Sequence, residues 1–324
     1  MTEAAAAQPL RCLVLSDGRR GIENQALGLA EACSRISELQ ICTQVIAHSK
    51  AIAALPPKGQ LRLATFDLPE CDIAIGCGRQ AIAALLHLKR SRPDVFTVYV
   101  QDPRRAPTDF DLVIAPEHDS VSGENVIEMI GSPNRVTDTK IIGETLNFAQ
   151  GLSKLPAPRA AFLIGGTSNT HKLDQEAHAA HLIAAQGLLK AGHSLLITTS
   201  RRTPEFAALA WRRLASDHDN IWLHDGEGPN PYFAFLGGAE LILVTEDSTN
   251  MLTEACATGK PVFRLPMSGK AGKFQRLYDA LEVRCGVGRY AGQVEGPDYE
   301  PLDETARVAE LLSDQVKASD HGNA

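Results

Sequence analysis

No run of apolar residues in this 324-residue chain approaches the ~20 that a helix needs to cross a bilayer. Residues 1–10 lack a basic segment followed by a long apolar one, so neither a membrane span nor a secretory leader is expected. Cysteine is sparse: seven, at 12, 33, 42, 71, 77, 256 and 285, an odd number never spaced Cys-x-x-Cys. That pattern argues against a disulfide framework or a thiolate zinc site and suits reduced, buried thiols in a cytosol-like compartment. Basic excess is missing as well, because 32 Lys and Arg face 39 Asp and Glu for a net charge of −7. This balance opposes non-specific nucleic-acid binding. A cytoplasmic protein with no nucleic-acid partner is expected, and peripheral membrane contact stays open.

Motifs of several enzyme classes are also lacking. Gly269-Lys270 continues with Ala and Gly259-Lys260 with Pro, so neither pair closes a Walker loop, and no Gly-x-Ser-x-Gly elbow occurs. His171, His178, His181 and His193 have no Cys or carboxylate completing a ligand spacing, so no metal is expected.

The composition, 44% hydrophobic and 22% charged, is that of a globular protein. At about 150 residues per domain the length suggests two domains and a cleft. Short apolar runs alternate with helical patterns. Leu10 to Leu15, Asp72 to Ile75, Val95 to Val100, Leu112 to Ala115 and Asn125 to Ile130 read as strands, and Ile22 to Ile36 and Arg79 to Leu88 as helices. Buried strands separated by helices specify parallel β-α-β units.

Pro156 and Pro158 mark a connector near 152–159, after which the alternation restarts. Strands are expected at Ala161 to Ile164, Leu195 to Thr198, Ile221 to Leu223 and Leu241 to Val244. Helices are expected at Asp174 to Lys190, from an N-cap at Thr203, from Thr249 to Thr258 with a stop at Gly259, and from Thr305 to Val316 with a frayed tail beyond Lys317. The domains are read as 1–155, 156–300 and a C-terminal helix and tail, 301–324.

The candidate site lies at strand ends. Gly165-Gly166-Thr167-Ser168 combines glycines with two hydroxyls, as a phosphate cradle requires. Thr198-Thr199-Ser200-Arg201-Arg202 follows the next strand and combines small hydroxyls with two guanidiniums, of Arg201 and Arg202, that match phosphate oxygens in bidentate geometry. Glu246-Asp247-Ser248-Thr249-Asn250 opens a helix whose amides can hold an anion. Glu254 lies about a turn further on, where its carboxylate could accept from a ribose diol. Three such loops are what an open α/β sheet offers a nucleotide.

In the first half, Ser16-Asp17-Gly18-Arg19-Arg20-Gly21-Ile22-Glu23-Asn24-Gln25 is dense in polar groups, with Asp17 and Glu23 as candidate general bases. Gly76-Cys77-Gly78-Arg79-Gln80-Ala81 matches the dinucleotide fingerprint, but it is not on the first strand, and the acidic residue that should follow is at best Asp102. With Gln101 and Asp102 this segment is read as lining the cleft.

These motifs, with Glu254-Ala255-Cys256-Ala257-Thr258-Gly259-Lys260-Pro261, resemble the bacterial and plant family named after a mitochondrial fission protein, over about residues 10–310. The second half is similar, more distantly, to the nucleotide-sugar domain of two-domain (GT-B) glycosyltransferases that add N-acetylglucosamine to a lipid-linked precursor. That likeness implies two Rossmann-like α/β domains facing a cleft. It implies a nucleoside-diphosphate sugar as donor, no tightly bound cofactor, and a lipid or glycan acceptor. It places Gly165, Gly166, Thr167, Ser168, Asp247, Ser248, Thr249 and Glu254 at the donor, joined by Ser200 and Arg201 from the loop between. The family's glycine-rich loop with a His is replaced by Asp17-Gly18-Arg19-Arg20-Gly21-Ile22-Glu23, so donor binding is better supported than catalysis. The alternatives are a non-catalytic adapter, as the fission name implies, and a nicotinamide-dependent epimerase or dehydrogenase using Gly76 to Ala81, which would lack a Tyr-x-x-x-Lys pair.

Overall fold

The apolar runs become parallel strands because they are bounded by turn residues and buried under helices, several of which connect one strand to the next. The computed structural model describes residues 8–322. The chain divides into two units: the described residues up to Arg135 together with those from Asp303 onward, and Val136–Leu302.

In the first unit the strands are β1 (Leu10–Ser16), β2 (Leu39–Val45), β3 (Ile73–Cys77), β4 (Phe96–Val100), β5 (Leu112–Pro116) and β6 (Val126–Met129), and the helices α1 (Arg20–Ser34), α2 (Lys50–Ala54), α3 (Pro57–Leu63) and α4 (Arg79–Ser91). The sheet order is β2-β1-β3-β4-β5-β6, all parallel. The chain therefore reverses its direction of sheet growth between β1 and β3. Alternate strand residues feed two cores. Val14, Ile75, Val98 and Ile114 pack with Leu29, Cys33 and Leu312, whereas Leu13, Leu15, Ala74 and Val113 pack with Leu85 and Leu88.

The second unit holds α5 (Asp138–Asn147), α6 (Ala149–Leu152), β7 (Arg159–Ile164), β8 (His171–Lys172), α7 (Gln175–Lys190), β9 (Ser194–Thr199), α8 (Glu205–Ser216), β10 (Ile221–His224), α9 (Tyr232–Gly238), β11 (Leu241–Thr245), α10 (Thr249–Cys256), β12 (Val262–Leu265), β13 (Ser268–Gly269) and α11 (Phe274–Cys285). Its parallel sheet runs β10-β9-β7-β11-β12, and β13 pairs antiparallel with β8. Here the reversal falls between β7 and β11. The last helix, α12 (Glu304–Gly322), returns to the first unit, where Val308, Ala309, Leu312 and Val316 close one core. Among the described residues no helix is long and apolar enough to cross a membrane.

The structure adds a strand that the sequence pattern does not show and differs from two local expectations. The strand β2, at the sheet edge, is interrupted by Gln40, Thr43 and Gln44, so it shows no apolar run. The first residue of α8 is Glu205, with Pro204 as its N-cap, because the Thr203 hydroxyl is spent elsewhere. Beyond Lys317 the chain continues as helix to Gly322.

The histidines of α7 belong to the core. His178 sits edge-on to Phe206 and Trp211, each 5.7 Å away between ring centres. Neither of its ring nitrogens has a hydrogen-bond partner among the described residues. Burial, with a smaller contribution from His181, lowers its pKa from 6.5 to about 4. Between those values the unfolded chain binds a proton that the folded chain refuses, so stability falls as pH drops through this window. The stability of His178→Leu relative to wild type should therefore improve between about pH 7 and 4.5, by up to ~3 kcal/mol, in thermal or denaturant melts. A difference independent of pH would contradict this.

Candidate functional site

The loops after β7 and β11 flank the point where the second sheet reverses, which is where open α/β sheets bind ligands. A single carboxylate joins them. The Gly166 amide donates to Asp247 Oδ2 at 3.0 Å and the Thr245 hydroxyl donates to Asp247 Oδ1 at 2.7 Å. Arg202 Nη2 lies 2.7 Å from the same carboxylate, which has no exposed surface (0%). Both glycines are needed for this packing: a β-carbon on Gly165 would strike the Asp247 carboxylate, and one on Gly166 the Arg202 carbonyl. The Thr203 hydroxyl donates to the Gly165 carbonyl at 2.5 Å and completes the clamp.

Several loop amides are already engaged. Thr167 donates to the Arg202 carbonyl (3.3 Å), Ser168 to His171 (2.8 Å) and Ser248 to Thr245 (3.2 Å). The Ser248 hydroxyl caps α10 through Met251, and Ser200 Oγ accepts from the Arg202 amide. The N–H of Thr249, first residue of α10, has no intrahelical acceptor. Arg201 is exposed and has no hydrogen bond or ion pair among the described residues.

Glu254 is buried on α10, with the Tyr232 hydroxyl donating to Oε2 at 2.5 Å. Burial raises its pKa to about 7, partly opposed by that hydrogen bond, and Tyr232 is pushed well above its usual value. Lys260 donates to the carbonyls of Leu236, Gly237 and Ala239 at 2.6–2.7 Å and so caps α9. Behind Asp247, buried Glu246 is held by Arg264 (3.2 Å), Arg289 (2.8 Å) and the Met267 amide (3.0 Å). Sequence reasoning missed Tyr232 and the pairing of Arg202 with Asp247. Tyr232 carries no motif and reaches Glu254 only through the fold, whereas Arg202 was half-signalled by the Arg-Arg pair.

In the first unit the loops after β1 and β3 also flank a reversal. Arg19 clamps Asp17, its Nη2 at 2.6 Å from Oδ2, and Ser16 Oγ donates to Glu23 at 3.2 Å and accepts from the Gly18 amide at 3.2 Å. Gly78, at φ +86°, faces Asp17 so closely that a β-carbon would lie 3.0 Å from Oδ2. Gly76 is packed under Leu85, and half-buried Asn24 lies in the second turn of α1. Gln25 Oε1 accepts from Gln101 Nε2 at 3.0 Å, and Gln101 holds a positive φ of 95°. Asp17, Gly18, Arg19, Glu23, Gln25, Gly78 and Gln101 are thus brought to one sheet end. Arg79 instead bonds the carbonyls of Ala54 and Leu55, and Asp102 accepts from the Arg104 amide in its own loop.

A sequence profile of the family described as Mitochondrial fission ELM1 matches residues 20–316. The Arabidopsis thaliana protein named Mitochondrial fission protein ELM1 is 24% identical over 81% of this chain and 68% of its own length. Among solved structures, the UDP-GlcNAc 2-epimerase of Methanocaldococcus jannaschii superposes with a TM-score of 0.55 at 10% identity, covering 94% of this chain and 99% of that one. The Neisseria meningitidis UDP-GlcNAc 2-epimerase, solved bound to UDP-GlcNAc, gives 0.54 at 11%, covering 95% and 100%. At these identities the likeness is one of fold, and that fold is α/β and GT-B-like.

The clamp has a direct consequence. Gly166→Ala should cost more than about 2 kcal/mol, because the clash is with backbone and cannot be relieved by a rotamer change. A denaturant midpoint shift at unchanged slope checks it, and a midpoint equal to wild type would contradict it.

Proposed function

We propose that this chain, which belongs to the mitochondrial fission ELM1 family, binds a nucleoside-diphosphate sugar through its Val136–Leu302 unit and transfers the sugar to an acceptor hydroxyl without a metal. A fold of this kind hosts many reactions, so the reading rests on the site. The observation that carries it is Glu254. It is a buried carboxyl that, among the described residues, has only a tyrosine hydroxyl as hydrogen-bond donor, on the helix that starts at the sheet reversal. A buried carboxylate needs more donors than one phenol supplies, and a ribose diol offers two. The hydroxyls of Thr167, Ser168, Ser200 and Ser248, the first amide of α10 and the guanidinium groups of the loop after β9 would take the diphosphate. Charge on the departing diphosphate would be stabilised there. In the first unit Asp17 or Glu23 would accept the acceptor's proton, and the acceptor class, lipid or glycan, follows only from the resemblance.

One observation favours the second reading, an adapter acting by protein recruitment: the amides of Thr167, Ser168 and Ser248 already have acceptors inside the protein. Exchanging Glu254 and Arg201 for Ala separates the two, since an adapter keeps its function and a transferase loses donor affinity.

Isothermal titration with UDP, GDP, ADP and dTDP and their sugars should show at least one ligand binding with a Kd between about 1 μM and 1 mM. No binding to any of them would remove the basis of the reading. The pH dependence is a second check. Diol hydroxyls donate to the ionised form of Glu254, whose pKa is raised to about 7. Affinity should therefore rise up to about tenfold between pH 6 and 8 and become weaker and flat in Glu254→Gln. A wild-type affinity independent of pH would contradict the assignment.

A further inference from the structure

The loop after β9 carries two adjacent arginines, and the structure treats them differently. Arg201 is exposed and has no hydrogen bond or ion pair among the described residues. Arg202 is fixed at both ends of its guanidinium. Nη2 is 2.7 Å from the wholly buried Asp247 carboxylate, and Nη1 is 3.5 Å from the Thr167 carbonyl. Its side chain is nonetheless 47% exposed. Its backbone is fixed as well, because its carbonyl accepts from the Thr167 amide and lies over Gly166. The result is a permanent cation on the loop after β9 that reaches the two loops flanking the sheet reversal, oriented by a carboxylate that solvent does not reach.

We infer that Arg202, and not its neighbour Arg201, is the principal contact for the diphosphate of the nucleotide, and that Asp247 is a positioning residue that presents it without touching the ligand. This rests on the donor-site reading above. The physical ground is entropy. Holding an arginine side chain still removes the freedom of several rotatable bonds. In Arg202 the fold has already met that cost, and the remaining N–H groups of its rigid fork stay available to phosphate oxygens. Arg201 would have to be ordered by the ligand itself. The assignment also explains why Asp247 is inaccessible: a ligand-binding carboxylate would repel a diphosphate, and a buried one paired with a guanidinium does not.

The test compares the tightest nucleoside diphosphate of the four-member panel with its own nucleoside, by titration calorimetry on the full chain. Arg202→Ala should lose about 10–100-fold in diphosphate affinity and leave nucleoside affinity within about twofold. Arg201→Ala should lose several-fold less. Asp247→Asn should weaken the diphosphate in the same direction. Arg202→Ala leaves Asp247 buried without its cation, so the double variant Arg202→Ala/Asp247→Asn, which removes both charges, replaces it if the single variant does not fold. Removal of the exposed Arg212 on α8, which pairs with Glu205 and Asp225, controls for net charge. An Arg202 variant that binds the diphosphate as wild type does, or that loses nucleoside and diphosphate equally as a mere loop clamp would, overturns the inference while leaving the donor site standing. A wild-type chain that binds no member of the panel overturns both.

Discussion

The buried carboxylate of Asp247 is the constraint on which the second unit's sheet edge depends. A carboxylate stripped of water must find donors or it destabilises the fold by several kcal/mol. Here three donors meet it: the Gly166 amide, the Thr245 hydroxyl at the end of β11 and the Arg202 guanidinium. Each donor then fixes something else. The amide can reach only if residues 165 and 166 lack β-carbons, and the guanidinium only if the loop after β9 folds back over them. Thr203 secures that fold by donating to Gly165. The glycines read from the chain as room for a ligand are in the first place room for the protein's own backbone and carboxylate, and what they leave open to solvent is the guanidinium.

Much of this architecture was legible before the coordinates. Runs such as Leu241 to Val244 and Ala161 to Ile164 are buried on both faces, and only a parallel sheet covered by helices does that to a short strand. The turns that follow them are therefore at strand carboxyl ends, and the order of the sheet decides which of these turns meet. That order is non-local. It could not be read from any one segment, and it brings residue 166 beside residue 247. For the same reason Tyr232 was invisible: its pairing with Glu254 is a single tertiary hydrogen bond from α9 to α10, with no spacing to betray it. Edge strand β2 escaped because its exposed polar residues break the apolar run. Thr203, expected as a helix N-cap, instead donates to the Gly165 carbonyl, because a helix cap and that carbonyl compete for the same hydroxyl.

The two units repeat one plan, with turn residues at a sheet reversal, yet differ in charge logic. In the second, Glu254 stays underpaired and Arg202 half-open, which suits a ligand bringing both hydroxyls and phosphates. In the first, Asp17 is already saturated by Arg19, whereas Glu23 accepts one hydroxyl from Ser16. Of the two carboxylates, Glu23 thus keeps the more acceptor capacity for a proton. The strained backbone of Gln101 beside them, at φ +95°, is of the kind that folds retain at working sites.

The central claim is that a nucleotide is held by the carboxyl ends of β7, β9 and β11. Amide hydrogen exchange of the full chain with and without saturating nucleotide sugar tests it most directly. The account predicts added protection concentrated in residues 165–170, 200–203 and 246–254. Protection confined to other segments, or no change anywhere at ligand concentrations far above those used in titration, would contradict it.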